Sequence, residues 1–579
     1  MAEYLSPGVY VEEFESGSKP MEGVGTSTAG FIGMAERGPV EGLPQLVTNI
    51  SDFKRTYGGN LSELEYGEYR FLSYAVNQFF LNGGSRCYIM RVAPKDAKCS
   101  TGFAPAEDGA VLQFESKNPG TWGDDVRISV TPSSKAKTQI FEVLNTSAGK
   151  RYVVKSAAGF NVGDIVAVND GENVTYNRIT KKQDNILGFE EEIDDSMIDK
   201  GLLPEKFLTT CEFTLEVAYG DVAELYENLS LNVSAPNFVS NKVSTSTLVN
   251  VKYVGEDVLK APFERIAGED ATVVTVPLMG GSNGDISGVS AADFNGEDNG
   301  AGRRTGIQAF VDNDVVSIIA VPGVTDPNVQ LTLIAHCENL ASRFAVLDIP
   351  RDAKNVNDIV NHRNIFDSNY AALYHPWLTV FDPLDKKNIA VPPSGAVMGI
   401  YARSDNTRGV HKAPANEVVR GCVGLDVQFN KGEQDILNPK GVNLIRSFPG
   451  QGIRVWGART ASSDGSWKYI NIRRLFIFIE ESIKANTSWA VFEPNNEVLW
   501  VRVQRTIAVF LENLWRNGSL MGSTPEEAFF VNIGHDTMSQ DDIDNGRLVC
   551  VIGVAPTKPA EFVIFRISQK AGGSEGAAE

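Results

Sequence analysis

Histidine and cysteine are scarce in this chain: its 579 residues hold five of the first and six of the second. The cysteines, at 87, 99, 211, 337, 422 and 550, form no C-x-x-C pair, so neither a disulfide framework nor a zinc module is expected. His336, His362, His375, His411 and His535 share no ligand spacing, and H-E-x-x-H is missing, so no metal is expected. G-x-x-x-x-G-K-[ST] is missing too, which excludes a P-loop, and no cofactor is expected. No run of about 18 apolar residues occurs, so no membrane insertion is expected. The first residues lack a basic stretch followed by an apolar one, so a chain made in the cytoplasm without a signal peptide is expected. Basic residues number 53 against 73 acidic ones, and the net charge of -20 argues against coating nucleic acid.

Two short motifs imitate enzyme signatures. Gly280-Gly-Ser-Asn-Gly284 fits G-x-S-x-G, but Asp285-Ile-Ser-Gly288 is poor material for the helix a nucleophile elbow needs, so a turn is expected. Gly450-Gln-Gly452 lacks the third glycine of a dinucleotide loop and continues into a β pattern, so a second turn is expected. With no coherent catalytic set, the chain is not expected to be an enzyme.

What is present is a discontinuous α+β multidomain pattern. Helical spacing is expected at 68–82, where Phe71, Leu72, Ala75, Phe79 and Phe80 share a side and Gly83-Gly84 stops the run. Further helices are expected at 329–342, 356–364, 473–485 and 498–516, with strands at 28–33, 87–92, 315–321, 345–347 and 371–380. Between them, short β runs separated by turns read as a mostly-β insertion. The expected division is an arm at 1–24, a core in two parts at 25–105 and 301–400, an inserted β-rich outer domain at 106–256, a linker at 257–300, a C-terminal domain at 401–560, and a second arm and tail at 561–579.

Both termini carry strand-forming segments. Val9, Tyr10 and Val11 follow Ser6-Pro7, and Phe562, Val563, Ile564 and Phe565 follow Ala555-Pro-Thr-Lys-Pro559. Such segments must add to a sheet, their own or a neighbour's. They are expected to be strand-exchange arms on proline-containing tethers.

Four blocks carry a family resemblance: Ser6-Pro-Gly-Val-Tyr-Val-Glu-Glu13, Phe448-Pro-Gly-Gln-Gly-Ile-Arg-Val-Trp-Gly-Ala-Arg-Thr460, Tyr469-Ile-Asn-Ile-Arg-Arg474 and Ile552-Gly-Val-Ala-Pro-Thr-Lys-Pro-Ala-Glu-Phe-Val563. In order and spacing they resemble the contractile tail sheath proteins of myophages, R-type bacteriocins and phage-tail-like injection systems. The resemblance implies a homo-oligomer of stacked six-fold rings around an inner tube protein, with baseplate and tail-terminator proteins as partners. It also implies contraction that drives the tube through a target envelope, and a place in a virion tail or contractile particle. The alternative from another class is a surface- or carbohydrate-binding β-rich tail protein.

The resemblance implies further that the C-terminal domain faces the tube, and the sequence offers two surfaces for that contact. One is the 498–516 helix, whose apolar stripe Val503, Ile507, Phe510, Leu511 and Leu514 leaves Arg502, Arg505 and Arg516 for a partner. The other is a short acidic helix around Asp541, Asp542 and Asp544, stopped by Gly546. The acidic segment is favoured, because a contact that breaks when the sheath expands is better made by polar groups.

Overall fold

Ala29-Gly-Phe-Ile-Gly-Met34 has no polar position to offer water, which suits a strand covered on both faces. In the computed structural model, which describes residues 21–105, 109–147, 149–198, 206–268 and 271–564, it lies inside a nine-stranded sheet. In order across the sheet the strands are Gln45–Val47, Cys87–Val92, Ala29–Met34, Ile318–Ala320, Phe344–Asp348, Ala371–His375, Val442–Phe448, Gly452–Val455 and Glu417–Val418. The six from Cys87–Val92 to Val442–Phe448 run parallel. Neighbouring side chains serve opposite cores: Phe31 packs with Phe79 and Val397, Ile32 with Leu333 and Ile359. Helices Leu72–Asn82 and Ser394–Arg408 therefore cover one face, and Pro327–Leu340 and Val356–Arg363 the other.

The expected helices form, with shifted ends. Gly83, in the left-handed region, stops Leu72–Asn82. Asp326 caps Pro327–Leu340 and Asn496 caps Glu497–Arg516 through their side chains. Gly395 and Gly399 let Ser394–Arg408 settle onto Leu72–Asn82: a Cβ at Gly395 would lie 2.2 Å from the Ala75 carbonyl oxygen, and one at Gly399 2.4 Å from that of Phe79.

The central sheet continues past residue 400, where the C-terminal domain was expected to begin. Val442–Phe448 pairs in parallel with Ala371–His375, and Gly452–Val455 and Glu417–Val418 extend the sheet. Periodicity did not show this, because pairing across some 65 residues of chain has no local signature. Gly450 and Gly452 have positive φ at the turn between Val442–Phe448 and Gly452–Val455, the second of the two expected turns.

The inserted region holds two β bodies rather than one. The inner one packs a four-stranded and a three-stranded sheet around Trp122, Phe114, Leu215 and Phe263. It starts at Thr101–Ala104 and takes in Val274–Pro277, which pairs with Arg127–Ser133 inside the expected linker. Glu212 is paired with Ser133, so the seven strands between them form an insertion within the insertion. At the two ends of that seven-stranded order stand Lys137–Thr138 and Ile140–Thr146, separated only by Gln139, so the sheet curls into a barrel around Tyr152, Phe160 and Leu187. Lys135 fastens barrel to base, with its Nζ 2.9 Å from both Asp164 and Glu212, whose carboxylates are buried.

Several titratable groups lie inside this framework. Burial, aided by Arg343, pushes His336 down to about 3, and burial pushes His362 and His375 down to about 4. Asp348 moves the other way: burial pushes it up to about 6, against bonds from Gly323 and Ser394. Below about pH 6.5 the unfolded imidazoles take up protons that the folded ones refuse, so their contribution to stability declines as pH falls. Asp348 contributes most at low pH and loses its contribution as pH rises through about 6. Three histidines outweigh one acid, so the melting temperature should drop between about pH 7 and about pH 5, and His375→Gln should flatten the slope. Calorimetry across that window checks this; a curve that is level or rises toward acid would refute it.

Candidate assembly interface

Helix Ile470–Thr487 buries Ile470, Leu475, Ile477 and Ile479 and, in the same stripe, Arg474. A buried guanidinium needs a carboxylate, and Asp405 of helix Ser394–Arg408 supplies one in a two-point pair: Nη1 to Oδ1 3.0 Å, Nη2 to Oδ2 2.5 Å, each side chain 3% exposed. The Tyr401 ring lies 4.6 Å from the guanidinium. Thr26 completes the site. Its carbonyl accepts from Arg474 at 2.9 Å, and its hydroxyl donates to Asp405 at 2.7 Å.

From Thr26 the N-terminal segment runs back along the same helix. The Val24 amide donates to Ser482 Oγ, and Glu22 exchanges two bonds with the Asn486 side chain. At the helix's other end, Tyr469 Oη donates to Glu561 Oε2 at 2.9 Å. The two terminal segments therefore leave the body from opposite ends of one helix, about 24 Å apart at 1.5 Å per residue.

The sequence-derived arm residues fall as follows. Val9, Tyr10, Val11 and Phe565 lie outside the described residues. Phe562, Val563 and Ile564 are 71%, 68% and 78% exposed and belong to no strand among the described residues. The preceding apolar run pairs within its own chain: Cys550–Val554 lies antiparallel to Phe529–Ile533 in a two-stranded sheet. Helix Glu497–Arg516 backs this sheet, and Gln504 Nε2 donates to the Val531 carbonyl at 2.7 Å. The proline-containing segment is docked instead of swinging freely: Thr557 bonds to the carbonyls of Ser519 and Gly518.

The two charged surfaces differ in availability. The acidic helix forms as Gln540–Asp544, and Gly546 has a positive φ. Its Asp542 is already engaged, reciprocating the Ser539 cap and pairing with Arg547 at 3.2 Å. Those hydrogen bonds hold its carboxyl below the usual range. Asp544 accepts from Gln540, and Asp541 and Asp544 are exposed. On the longer helix all five stripe residues are buried as expected. Arg502 stacks on Trp489 at 4.2 Å, Arg516 pairs with Glu512, and Arg505 lines a shallow groove with Val501, Phe529 and Phe530.

The G-x-S-x-G candidate is neither an elbow nor the expected turn: residues 280–284 run as irregular chain, followed by the three-residue 3-10 helix Ile286–Gly288. Ser282 bridges the backbone of Lys98, and the Asn283 side chain ties Thr121 to Glu65. Sequence reasoning missed Arg474, Asp405 and Glu561. Their signal was an arginine in an apolar helical stripe and a glutamate just before an apolar run, both inside the blocks that carry the resemblance.

Known proteins resemble this chain in sequence and in fold. Residues 299–461 match the phage tail sheath protein central domain, and residues 462–570 the phage tail sheath C-terminal domain. Residues 299–570 thus carry both domains of the phage tail sheath family. A prophage major tail sheath protein of Pseudomonas aeruginosa (strain UCBPP-PA14) is 25% identical over 293 residues, 49% of this chain and 71% of that protein. The tail sheath protein of Escherichia phage P2 is 24% identical over 324 residues, 53% of this chain and 79% of the relative. In fold the chain is similar to the contracted-state sheath of an extracellular contractile injection system, with a TM-score of 0.52, 21% identity, and 98% and 99% of the two chains covered. A sheath tail protein from Listeria innocua gives a TM-score of 0.53 at 10% identity, over 93% and 96%. The boundary between the two matched sheath domains falls after the last strand of the central sheet, in agreement with the fold.

The Arg474–Asp405 pair joins these two sheath domains, and breaking it from one side leaves a charge in a dry site. Asp405→Ala should cost roughly 3–5 kcal/mol. Urea unfolding of the isolated subunit measures this, and a loss below about 1 kcal/mol would show the pair to be dispensable.

Proposed function

We propose that this chain is the sheath subunit of a contractile tail or injection machine. It polymerises helically, as stacked six-fold rings around an inner tube protein, between a baseplate and a tail terminator. It then passes from a metastable extended lattice to a compact one and drives the tube through a target envelope. The subunit is a mechanical part and catalyses nothing. The observation that carries this reading is the pair of terminal segments leaving opposite ends of one firmly anchored helix, close to a two-stranded sheet able to accept further strands.

Work in this reading comes from packing. At about 25 cal/mol per Å2, a few hundred Å2 of extra apolar contact per subunit yields roughly 5–10 kcal/mol, reduced by the polar groups that lose water. Subunits must stay joined while they slide. Added strands do this, since backbone hydrogen bonds of about 0.5–1.5 kcal/mol each act together in a row. The inserted β bodies are the outer domain, and the C-terminal domain faces the tube.

Deleting residues 1–20 removes one arm and leaves the anchored segment at Glu22 intact. The truncated subunit should remain folded and monomeric in size-exclusion chromatography and form no tubes in negative stain. Tubes at normal yield would end the strand-exchange reading.

For the tube contact, Asp541 and Asp544 are the better probes, because Asp542 supports its own helix. Asp541→Lys with Asp544→Lys should lower the yield of tube-filled particles several-fold and leave empty sheaths unchanged. Normal filling with unaltered salt sensitivity would move the contact to the helix bearing Arg502 and Arg505.

A further inference from the structure

At Glu561 the chain changes character within one residue. Glu561 is held on four sides: Arg459 donates from Nε to Oε1 and from Nη2 to Oε2, each at 2.8 Å, Asn438 Nδ2 donates to Oε1 at 2.8 Å, and Tyr469 Oη donates to Oε2 at 2.9 Å. Burial alone would raise its carboxyl, but the bonds from Arg459, Asn438 and Tyr469 hold it below the usual range. Phe562, the next residue, is 71% exposed.

The platform beneath the clamp is rigid. Arg459's amide donates to the side-chain oxygen of the fully buried Asn443, and its carbonyl accepts from the Asn443 amide group. Asn443 sits on Val442–Phe448, a strand of the central sheet. Asn438 and Arg459 belong to the central sheath domain, and Tyr469, in the C-terminal one, stands at the start of helix Ile470–Thr487.

We infer that Glu561 is a positioning residue for assembly: it fixes the point and direction from which the C-terminal arm departs, so that the arm's first strand residue is presented to a second copy of this chain from a set place. The inference rests on the strand-exchange reading above. A bidentate Arg–carboxylate pair fixes orientation as well as distance, and a pre-aimed strand gives up less freedom on docking than a free one. The arm therefore pivots after residue 561, and the prolines at 556 and 559 lie on the docked side of the pivot.

The test uses the full-length chain. Glu561→Ala should leave the melting temperature of the isolated subunit near that of wild type, because Glu561 is only half-buried and lies outside the hydrophobic cores. It should speed amide exchange over 557–564 about tenfold and raise the subunit concentration needed for tube formation about tenfold. Exchanging the charges, with Arg459→Glu and Glu561→Arg together, should recover most of both losses, which a purely local packing role would not. Should Glu561→Ala unfold, Glu561→Gln supplies the same comparison with the side chain's length kept. Unchanged exchange and assembly in the variant would overturn the inference while leaving the strand-exchange reading intact. Normal assembly of a chain lacking residues 562–579 would overturn that reading itself.

Discussion

The contact between Arg474 and Asp405 sets the shape of this subunit. Two opposite charges at 3% exposure have no water to replace a missing partner, so neither side can move alone. Thr26 enters the same site with its carbonyl and its hydroxyl, and Tyr374, on a central strand, shares a 2.8 Å hydroxyl contact with Tyr401 beneath the guanidinium. A central strand, a sheet-covering helix, helix Ile470–Thr487 and the N-terminal segment at Thr26 are thus held at one point. Such a joint resists displacement that apolar surfaces alone, which can slide past one another, would allow.

Around that joint the molecule divides into firm and open parts. The parallel strands are covered on both faces, and the glycine contacts at 395 and 399 leave no slack between helices. The inserted bodies are likewise fastened. Arg91, buried, donates to the carbonyls of Ala35, Glu36, Gly38 and Pro119, tying the central sheet to the segment that leads into the inner body. Tyr219 of the inner body donates to Glu36 at 2.7 Å. The C-terminal part is more open: it holds a short two-stranded sheet and, immediately beyond Glu561, the uncovered apolar residues Phe562, Val563 and Ile564. That distribution is the one the proposed strand-exchange reading requires, with a firm body and open connections.

The sequence by itself determined the main helices and several core strands, since the 3.6- and two-residue periods are local consequences of backbone geometry; the run at 371–380, read as one strand, is two in different sheets, and the run at 562–564, read as a strand, belongs to none among the described residues. Helix Leu72–Asn82 with its glycine stop, the buried stripe of Glu497–Arg516 and the capped acidic turn at Gln540–Asp544 were all legible in that way. The ordered blocks also carried the family. Only the tertiary structure decided that Val442–Phe448 belongs with Ala371–His375, that Val274–Pro277 joins a sheet, and that the insertion is double. It alone paired Arg474 with Asp405 across 69 residues, and Arg459 with Glu561 across 102. Such partners are chosen by which charges are taken out of water together. That depends on burial, a property of the packed molecule that no local stretch of chain possesses.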